Sequence, residues 1–139
     1  MRKLIFALFI LLFLAIFPVS ANESMSPYRA FNEVTLNGTA TITSQAFPLQ
    51  PYKVFGFWIQ GVSATGTPDY RVYYTVAPLN IDVMFAVPDR ARDIFTQIND
   101  ENPHIEAFSP APMMWIKIVV VGINANPANS KITGWACFQ

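Results

Sequence analysis

Few residues of this 139-residue chain could support chemistry. It has one histidine, His104, and one cysteine, Cys137. Nucleophilic catalysis needs a base within hydrogen-bond reach of a hydroxyl or thiol, and a lone histidine after a proline in a predicted loop is typical of a surface residue. A zinc or redox-metal site needs several His or Cys ligands at defined spacing. We therefore expect no catalytic residue, no metal site and no cofactor.

The carboxylates lead to the same expectation. Glycosidase-type hydrolysis needs two facing carboxylates, one of them in a dry pocket. Five acidic residues fall instead in or near predicted loops: Asp89, Asp93, Asp100, Glu101 and Glu106. The loop at 100–102 offers the hard oxygen ligands that Ca²⁺ prefers, but without the spacing of an EF-hand. The sequence thus predicts a protein that is not an enzyme, and it leaves a loop cation site open.

The N-terminus has the three parts of a secretory signal peptide. Arg2 and Lys3 precede an uninterrupted apolar run at 4–17, and Val19 and Ala21 occupy the minus-three and minus-one positions of a cleavage site. This run is shorter than the roughly 20 residues that cross a bilayer. We expect cleavage after Ala21, so that the mature protein is secreted, or periplasmic in a Gram-negative bacterium, and keeps no membrane segment.

Cleavage also changes the composition. Removing 21 residues from 139 leaves 118, enough for one domain with its own core. Basic residues fall from 9 to 7 while acidic residues stay at 9, so the net charge becomes about −2. Such a chain, without a Lys/Arg cluster, lacks the electrostatic footprint of nucleic-acid binding. A single cysteine cannot form an internal disulfide, so the core or neighbouring subunits must supply the stability.

Alternating apolar residues predict several strands in the first half. Residues 34–42 alternate with a period of two, either as one strand or as two short strands around an Asn37-Gly38 turn. Segment 52–63 is apolar on both faces. A turn-rich stretch then leads to the alternating residues 70–76, which predicts a hairpin with one wet face.

The second half continues this pattern. Alternation over 79–87 predicts another strand. Segment 89–98 fits either one helical turn or a strand at 94–98, and the polar residues 99–103 predict a loop.

Two more strands are predicted near the C-terminus. Residues 114–121 are apolar apart from Lys117, as in a strand covered on both sides, and 131–138 form a last strand. Short strands with turns between them indicate an all-β fold, an antiparallel β-sandwich or jelly roll, preceded by the signal-peptide helix. The expected boundaries are 1–21 for the signal peptide, 22–33 for an N-terminal arm or edge strand, and 34–139 for the sandwich.

A C-terminal motif resembles known modules. It is Ser109-Pro110-Ala111-Pro112-Met113-Met114-Trp115-Ile116-Lys117-Ile118, then a glycine turn with Asn126-Pro127, then a strand that ends the chain. This resembles small jelly-roll-like β-sandwich modules of phage virion proteins and of exported bacterial surface or filament proteins, over roughly 41–139. The resemblance implies that a proline-bounded strand pairs with the closing strand. It also implies a binding or building role, with no catalytic residue to carry over.

More strand faces are apolar than a two-layer sandwich buries, since each strand needs one apolar face. The candidate interface consists of the apolar residues left over, with those of the arm: Val54, Trp58, Trp115, Val119, Val121, Met25, Tyr28 and Phe31. In the strand at 114–121 the uncovered set could instead be Ile116, Ile118 and Val120. Loops such as 95–112 could cover this surface, or another subunit could.

Two functional hypotheses follow. The first is a secreted structural protein whose subunits self-associate, or join other surface proteins, in an extracellular fibre or surface assembly, through apolar faces or strand addition by the arm. The alternative is a module that binds polysaccharide through exposed aromatic residues, with Tyr52, Tyr70 and Tyr73 as stacking candidates. Cys137 is expected to be a shielded thiol, with an intermolecular disulfide as the other possibility.

Overall fold

The computed structural model describes residues 27–49, 54–87, 90–110, 113–124 and 126–138. The signal peptide, Met25 and Tyr52 therefore lie outside the described residues. The elements are β1 (Tyr28–Leu36), β2 (Thr41–Thr43), β3 (Phe47–Pro48), β4 (Phe55–Val62), β5 (Tyr70–Ala77), α1 (Asp82–Phe85), β6 (Ala91–Ile98), β7 (His104–Phe108), β8 (Trp115–Gly122) and β9 (Ser130–Phe138). Within these ranges, no helix has the length and apolar character needed to cross a membrane.

The strands form two antiparallel sheets. Sheet A has the order β1-β9-β4-β7, and sheet B has the order β2-β8-β5-β6, with β3 also pairing with β8. If β2 and β3 are taken as two halves of one strand, the first strand pairs with the last, the second with the second-last, and so on inward to β5 and β6. This nested pairing is that of a jelly roll. The predicted all-β sandwich is confirmed.

Nested pairing places most consecutive strands in opposite sheets. The Asn37-Gly38 turn, where Gly38 has φ +51°, takes the chain from β1 in sheet A to β2 in sheet B. The predicted hairpin of 52–63 with 70–76 is wrong, because β4 pairs with β7 and β9 whereas β5 pairs with β6 and β8. The pairing of the last two strands implied by the resemblance is wrong as well. Strands that face each other across a core alternate just as hairpin strands do, so the period alone does not distinguish the two.

The strand predicted over 79–87 is not formed. Asp82–Phe85 makes a single helical turn in the β5–β6 connection, and Val83 is 72% exposed. Phe85 is buried on the outer face of sheet B, where the Thr75 hydroxyl donates to its carbonyl oxygen at 2.7 Å. The positions beside β5 are already occupied by β6 and β8, so this segment cannot form a hairpin with the strand that precedes it.

The other predictions for the second half are confirmed. Ala91–Ile98 is a strand, so the helical alternative is excluded. The strand begins before residue 94, where it was expected to start. Residues 99–103 form a loop, and β8 and β9 occupy the two predicted C-terminal positions. In β8 the core face carries Ile116, Ile118 and Val120, all fully buried.

The core between the sheets is rich in aromatic rings. The ring centroid of Phe138 lies 5.3 Å from that of Tyr28 and 5.1 Å from that of Phe55. Phe31 is only 3% exposed and Tyr70 is 0% exposed. Phe31 as an interface residue and Tyr70 as a sugar-stacking residue are therefore wrong, because both side chains lie on the inner faces of their strands.

A buried polar network joins three connections between the sheets. Asn126 donates from its side-chain amide to the carbonyl oxygens of Leu36 and Gly38, at 3.2 Å each. Its side-chain oxygen accepts from the backbone amide of Asp69 at 3.1 Å and from the Ser130 hydroxyl at 3.3 Å. These bonds link the β1–β2, β4–β5 and β8–β9 connections, so one amide side chain holds this part of both sheets in place.

Candidate binding surfaces

His104 begins β7 and is held by the loop before it. Its Nε2 lies 2.9 Å from a carboxylate oxygen of Asp100, and its ring packs edge-on against Phe95 with 5.7 Å between centroids. The hydrogen bond from His104 lowers the pKa of Asp100. Among the described residues, His104 is bonded to this carboxylate and to no hydroxyl or thiol. The pair positions the loop and does not form a nucleophile–base arrangement.

The oxygens of the 100–102 loop are also engaged. The Glu101 carboxylate accepts from the backbone amide of Ser63 at 2.9 Å, and the Glu101 carbonyl accepts from the Gln60 side chain at 2.8 Å. Asp100 also accepts from the backbone amide of Asn102 at 2.8 Å. In the described part of the chain, no group of three or more His, Cys, Asp or Glu residues could hold a metal ion.

An apolar row crosses the outer face of sheet A. Trp58 of β4 is directly opposite Trp135 of β9 on one side and Ile105 of β7 on the other. We call these three residues the sheet A band. Ile105 is 73% exposed, and both tryptophans are half-buried. At the β1 end of the row, the guanidinium carbon of Arg29 lies 4.5 Å from a ring centroid of Trp135, a cation–π contact.

Small residues border the sheet A band on one side. The neighbouring row consists of Cys137, Gly56 and Ala107, whose side chains are short or absent and project little from the sheet. Val62 at the end of β4 and Val54 just before β4 are both exposed. A sandwich in solution normally turns polar side chains outward. The outer face of sheet A departs from this pattern along the band and the row beside it, whereas the row on the other side of the band is polar, with Gln60 opposite Thr133.

The edge strand β7 adjoins this band. All five residues of β7 pair with β4 without a bulge. The other sheet edges differ from it: β1 and β6 each carry register shifts, Glu33 in β1 has φ +51°, and the fourth edge is divided into the short strands β2 and β3. Bulges, prolines and lysines are the usual protection of an edge strand against pairing with another chain. Residues 104–108 contain none of them, and their protection is limited to the charge of Glu106.

A groove of about 750 Å³ lies on the outer face of sheet B. Its floor includes Thr41 and Thr43 of β2, Tyr73 of β5 and the valines of β8, and its wall includes Phe85 of α1. The guanidinium carbon of Arg71 lies 5.4 Å from the ring centroid of Tyr73. The groove therefore combines hydroxyl groups, an aromatic ring and apolar floor residues.

Each cation in this groove has an acidic partner. Arg71 Nε lies 2.6 Å from Asp93 Oδ1, and Lys117 Nζ lies 2.5 Å from Asp82 Oδ1. The Lys117 side chain is 16% exposed, whereas that of Asp82 is 93% exposed. The groove thus carries no net charge from these pairs.

The predicted interface residues divide between opposite sides of the domain. Val54 and Trp58 lie on the outer face of sheet A. Trp115, Val119 and Val121 lie on the outer face of sheet B, and both valines line its groove. One continuous interface through all of them is therefore excluded.

The sequence did not predict two residues of the outer face of sheet A. It also did not predict that part of the N-terminal arm pairs with β9 of the same chain. Ile105 falls in segment 95–112, which was expected to be a loop that covers a sheet face. Trp135 becomes a neighbour of Trp58 only through the register between β9 and β4. Alternation of Trp135 with its neighbours in β9 could have indicated its outer position. Tyr28, from the predicted arm, is exposed in β1, which pairs with β9.

Comparison with known proteins shows the fold alone. No family model and no curated protein matches this sequence. The structure is similar to part of tripeptidyl peptidase 2, with a TM-score of 0.59 and 9% identity over 86% of this chain and 10% of that chain. It is also similar to chains in the structure of the infectious bursal disease virus Gx strain (TM-score 0.51, 10% identity, 88% of this chain and 37% of that chain) and in the T13 particle of that virus (TM-score 0.52, 12% identity, 88% and 35%).

The chain spans well under half the length of these proteins. The resemblance to virion β-sandwich modules stated from the sequence is thus confirmed as a likeness of fold.

Proposed function

We propose that this chain is an exported, non-enzymatic structural protein whose β-sandwich subunits associate with copies of themselves through sheet A. The observation that supports this most is the sheet A band, an apolar row on a face that a solitary sandwich leaves to solvent. Contiguous exposed apolar surface on a folded domain commonly marks an interface. Ile105, 73% exposed at the edge of the row, is its most accessible member.

The β7 edge supplies a geometry for this association. Two copies related by a two-fold axis perpendicular to sheet A pair their β7 strands antiparallel. With Ile105 opposite Ile105 of the second copy, Glu106 of each chain faces His104 of the other. A register centred on Glu106 would instead place two carboxylates directly opposite each other, which is destabilising. The avoidance of this repulsion between carboxylates therefore favours the register centred on Ile105.

This register makes the apolar row continuous across both copies. Sheet A becomes an eight-stranded sheet, since each copy contributes four strands. The outer edges of that sheet are the two β1 strands, whose bulges oppose further edge pairing. Edge pairing alone thus gives a closed dimer, and a fibre or surface layer grows when the apolar faces of such dimers stack.

Analytical ultracentrifugation of the mature chain tests this proposal. We expect oligomers that dissociate in the Ile105→Lys variant, because a charge at the two-fold axis faces its own copy. Val83→Lys is the matched control, since Val83 is equally exposed but lies in α1 on the other side of the domain. A mature chain that stays monomeric at all concentrations, or equal effects of both variants, would refute self-association through this face.

Export is tested separately. The full chain expressed in a secreting host should appear outside the cytoplasm with Asn22 as its first residue, which mass spectrometry of the purified protein detects. Retention of the intact N-terminus in the cytoplasm would contradict this part of the proposal without affecting self-association.

A further inference from the structure

The groove on sheet B is held open by its own contacts. The Thr75 hydroxyl donates to the Phe85 carbonyl at 2.7 Å, which ties α1 to the floor. The Lys117 ammonium lies 4.6 Å from the ring centroid of Phe85 and 2.5 Å from the carboxylate of Asp82. Floor and wall are thus joined at both ends of this helical turn. A groove formed without a ligand is typical of small-molecule sites, whose volumes are roughly 300–1,000 Å³.

Its charges favour a neutral ligand. The two cations, Arg71 and Lys117, are matched by two carboxylates, those of Asp93 and Asp82. An anionic ligand would have to displace one of these carboxylates, and a cationic ligand would have to displace Arg71 or Lys117. A neutral hydroxylated ligand can instead hydrogen bond to both pairs without separating them.

Its side chains combine apolar and hydroxyl surfaces. Thr41 and Thr43 lie on the same face of β2, roughly 7 Å apart along the strand. Beside them the floor is formed by Val119, Val121 and the ring of Tyr73. A sugar ring has this same combination, an apolar C–H face that packs on an aromatic ring and hydroxyls around its rim. An acyl chain would cover the threonine hydroxyls without offering them a hydrogen bond, which is unfavourable for polar groups.

We infer that this groove is a binding site for a neutral oligosaccharide, with Tyr73 as the stacking residue and Thr41 and Thr43 as hydrogen-bonding residues. The site goes beyond the proposed self-association and does not depend on it, because the groove and the sheet A band face opposite sides of the sandwich. In an assembly built through sheet A, the grooves point outward in several copies. Repeated copies strengthen the retention of a polysaccharide by avidity.

Calorimetry and NMR titration with four hexasaccharides test this site: β-1,4-linked glucose, β-1,4-linked N-acetylglucosamine, α-1,4-linked glucose and β-1,4-linked mannose. The Ile105→Lys chain serves as the background, so that the result does not depend on assembly. We expect saturable binding of at least one probe, with shifted amide signals in β2 and β5. Tyr73→Ala should weaken binding by about tenfold or more, equivalent to about 1.4 kcal/mol, while Tyr73→Phe retains it.

Two further variants make the result decisive. Thr43→Arg, at an exposed position of β2, should block the groove without disturbing the core. Trp58→Ala removes an aromatic side chain from the opposite face and should leave binding unchanged. The inference is overturned if no probe binds saturably, or if Trp58→Ala abolishes binding while Tyr73→Ala and Thr43→Arg retain it.

Discussion

Removing the hydroxyl of Tyr70 should stabilise this domain. Tyr70 is 0% exposed, and its phenol oxygen is buried without a hydrogen-bond partner among the described residues. Burial raises the pKa of Tyr70, and the charge of Asp100 raises it further, so the phenol stays neutral. The backbone of Gly61 lies near the phenol oxygen and acts to lower this pKa. The two groups are nevertheless not placed for a hydrogen bond.

The size of the effect follows from this burial. A buried polar group without a partner costs about 1–3 kcal/mol in desolvation. Replacing Tyr70 by Phe removes that cost but leaves a small void, and unfilled volume in a core is itself destabilising. We expect a net gain of about 1 kcal/mol in the free energy of unfolding, or a rise of about 4 °C in Tm for a domain of this size.

Urea and thermal unfolding of Tyr70→Phe measure this gain. Both are done in the Ile105→Lys background, since dissociation of oligomers would otherwise contribute to the transition. Tyr73→Phe is the control, because Tyr73 is only half-buried on the outer face of sheet B and loss of its hydroxyl should change stability by less than about 0.5 kcal/mol. A loss of stability in Tyr70→Phe would show that the phenol has a partner such as a buried water, and would refute the reasoning.

Two further predictions concern the loop before β7 and the face of sheet A. Because the folded-state pKa of Asp100 is lowered, its bond with His104 stabilises the protein above the unfolded pKa of about 4 and is lost as the pH falls through the folded pKa. Asp100→Asn should therefore make unfolding less pH-dependent between neutral and acidic pH; an unchanged profile would contradict this. Cys137 should react with iodoacetamide faster in Ile105→Lys than in the assembled protein, and equal rates would argue against a covered face.

Much of the local structure follows from residue spacing. The continuous apolar run at 114–121 predicts β8 correctly, but it is apolar on both faces, so only the structure shows that Ile116, Ile118 and Val120 face the core. The alternation of residues 70–76 puts Tyr70 on the core side with Val72. The prediction of Tyr70 as an exposed sugar-stacking residue did not follow this alternation. The strand predicted over 79–87 is wrong for a different reason: its residues alternate, but both sides of the preceding strand β5 are already paired, with β6 and β8.

Residue spacing could not predict surfaces whose residues lie far apart in the sequence. The sheet A band joins Trp58, Ile105 and Trp135 through strand register alone, and the groove exists because α1 lies on sheet B through Thr75 and Phe85. The sequence by itself determined that this is an all-β domain, and in strands such as β4 which residues face the core, because both depend on local periodicity. The tertiary structure decided which strands pair and which outer residues become neighbours, because non-local pairing depends on the packing of the whole chain and leaves no periodic signal within a segment.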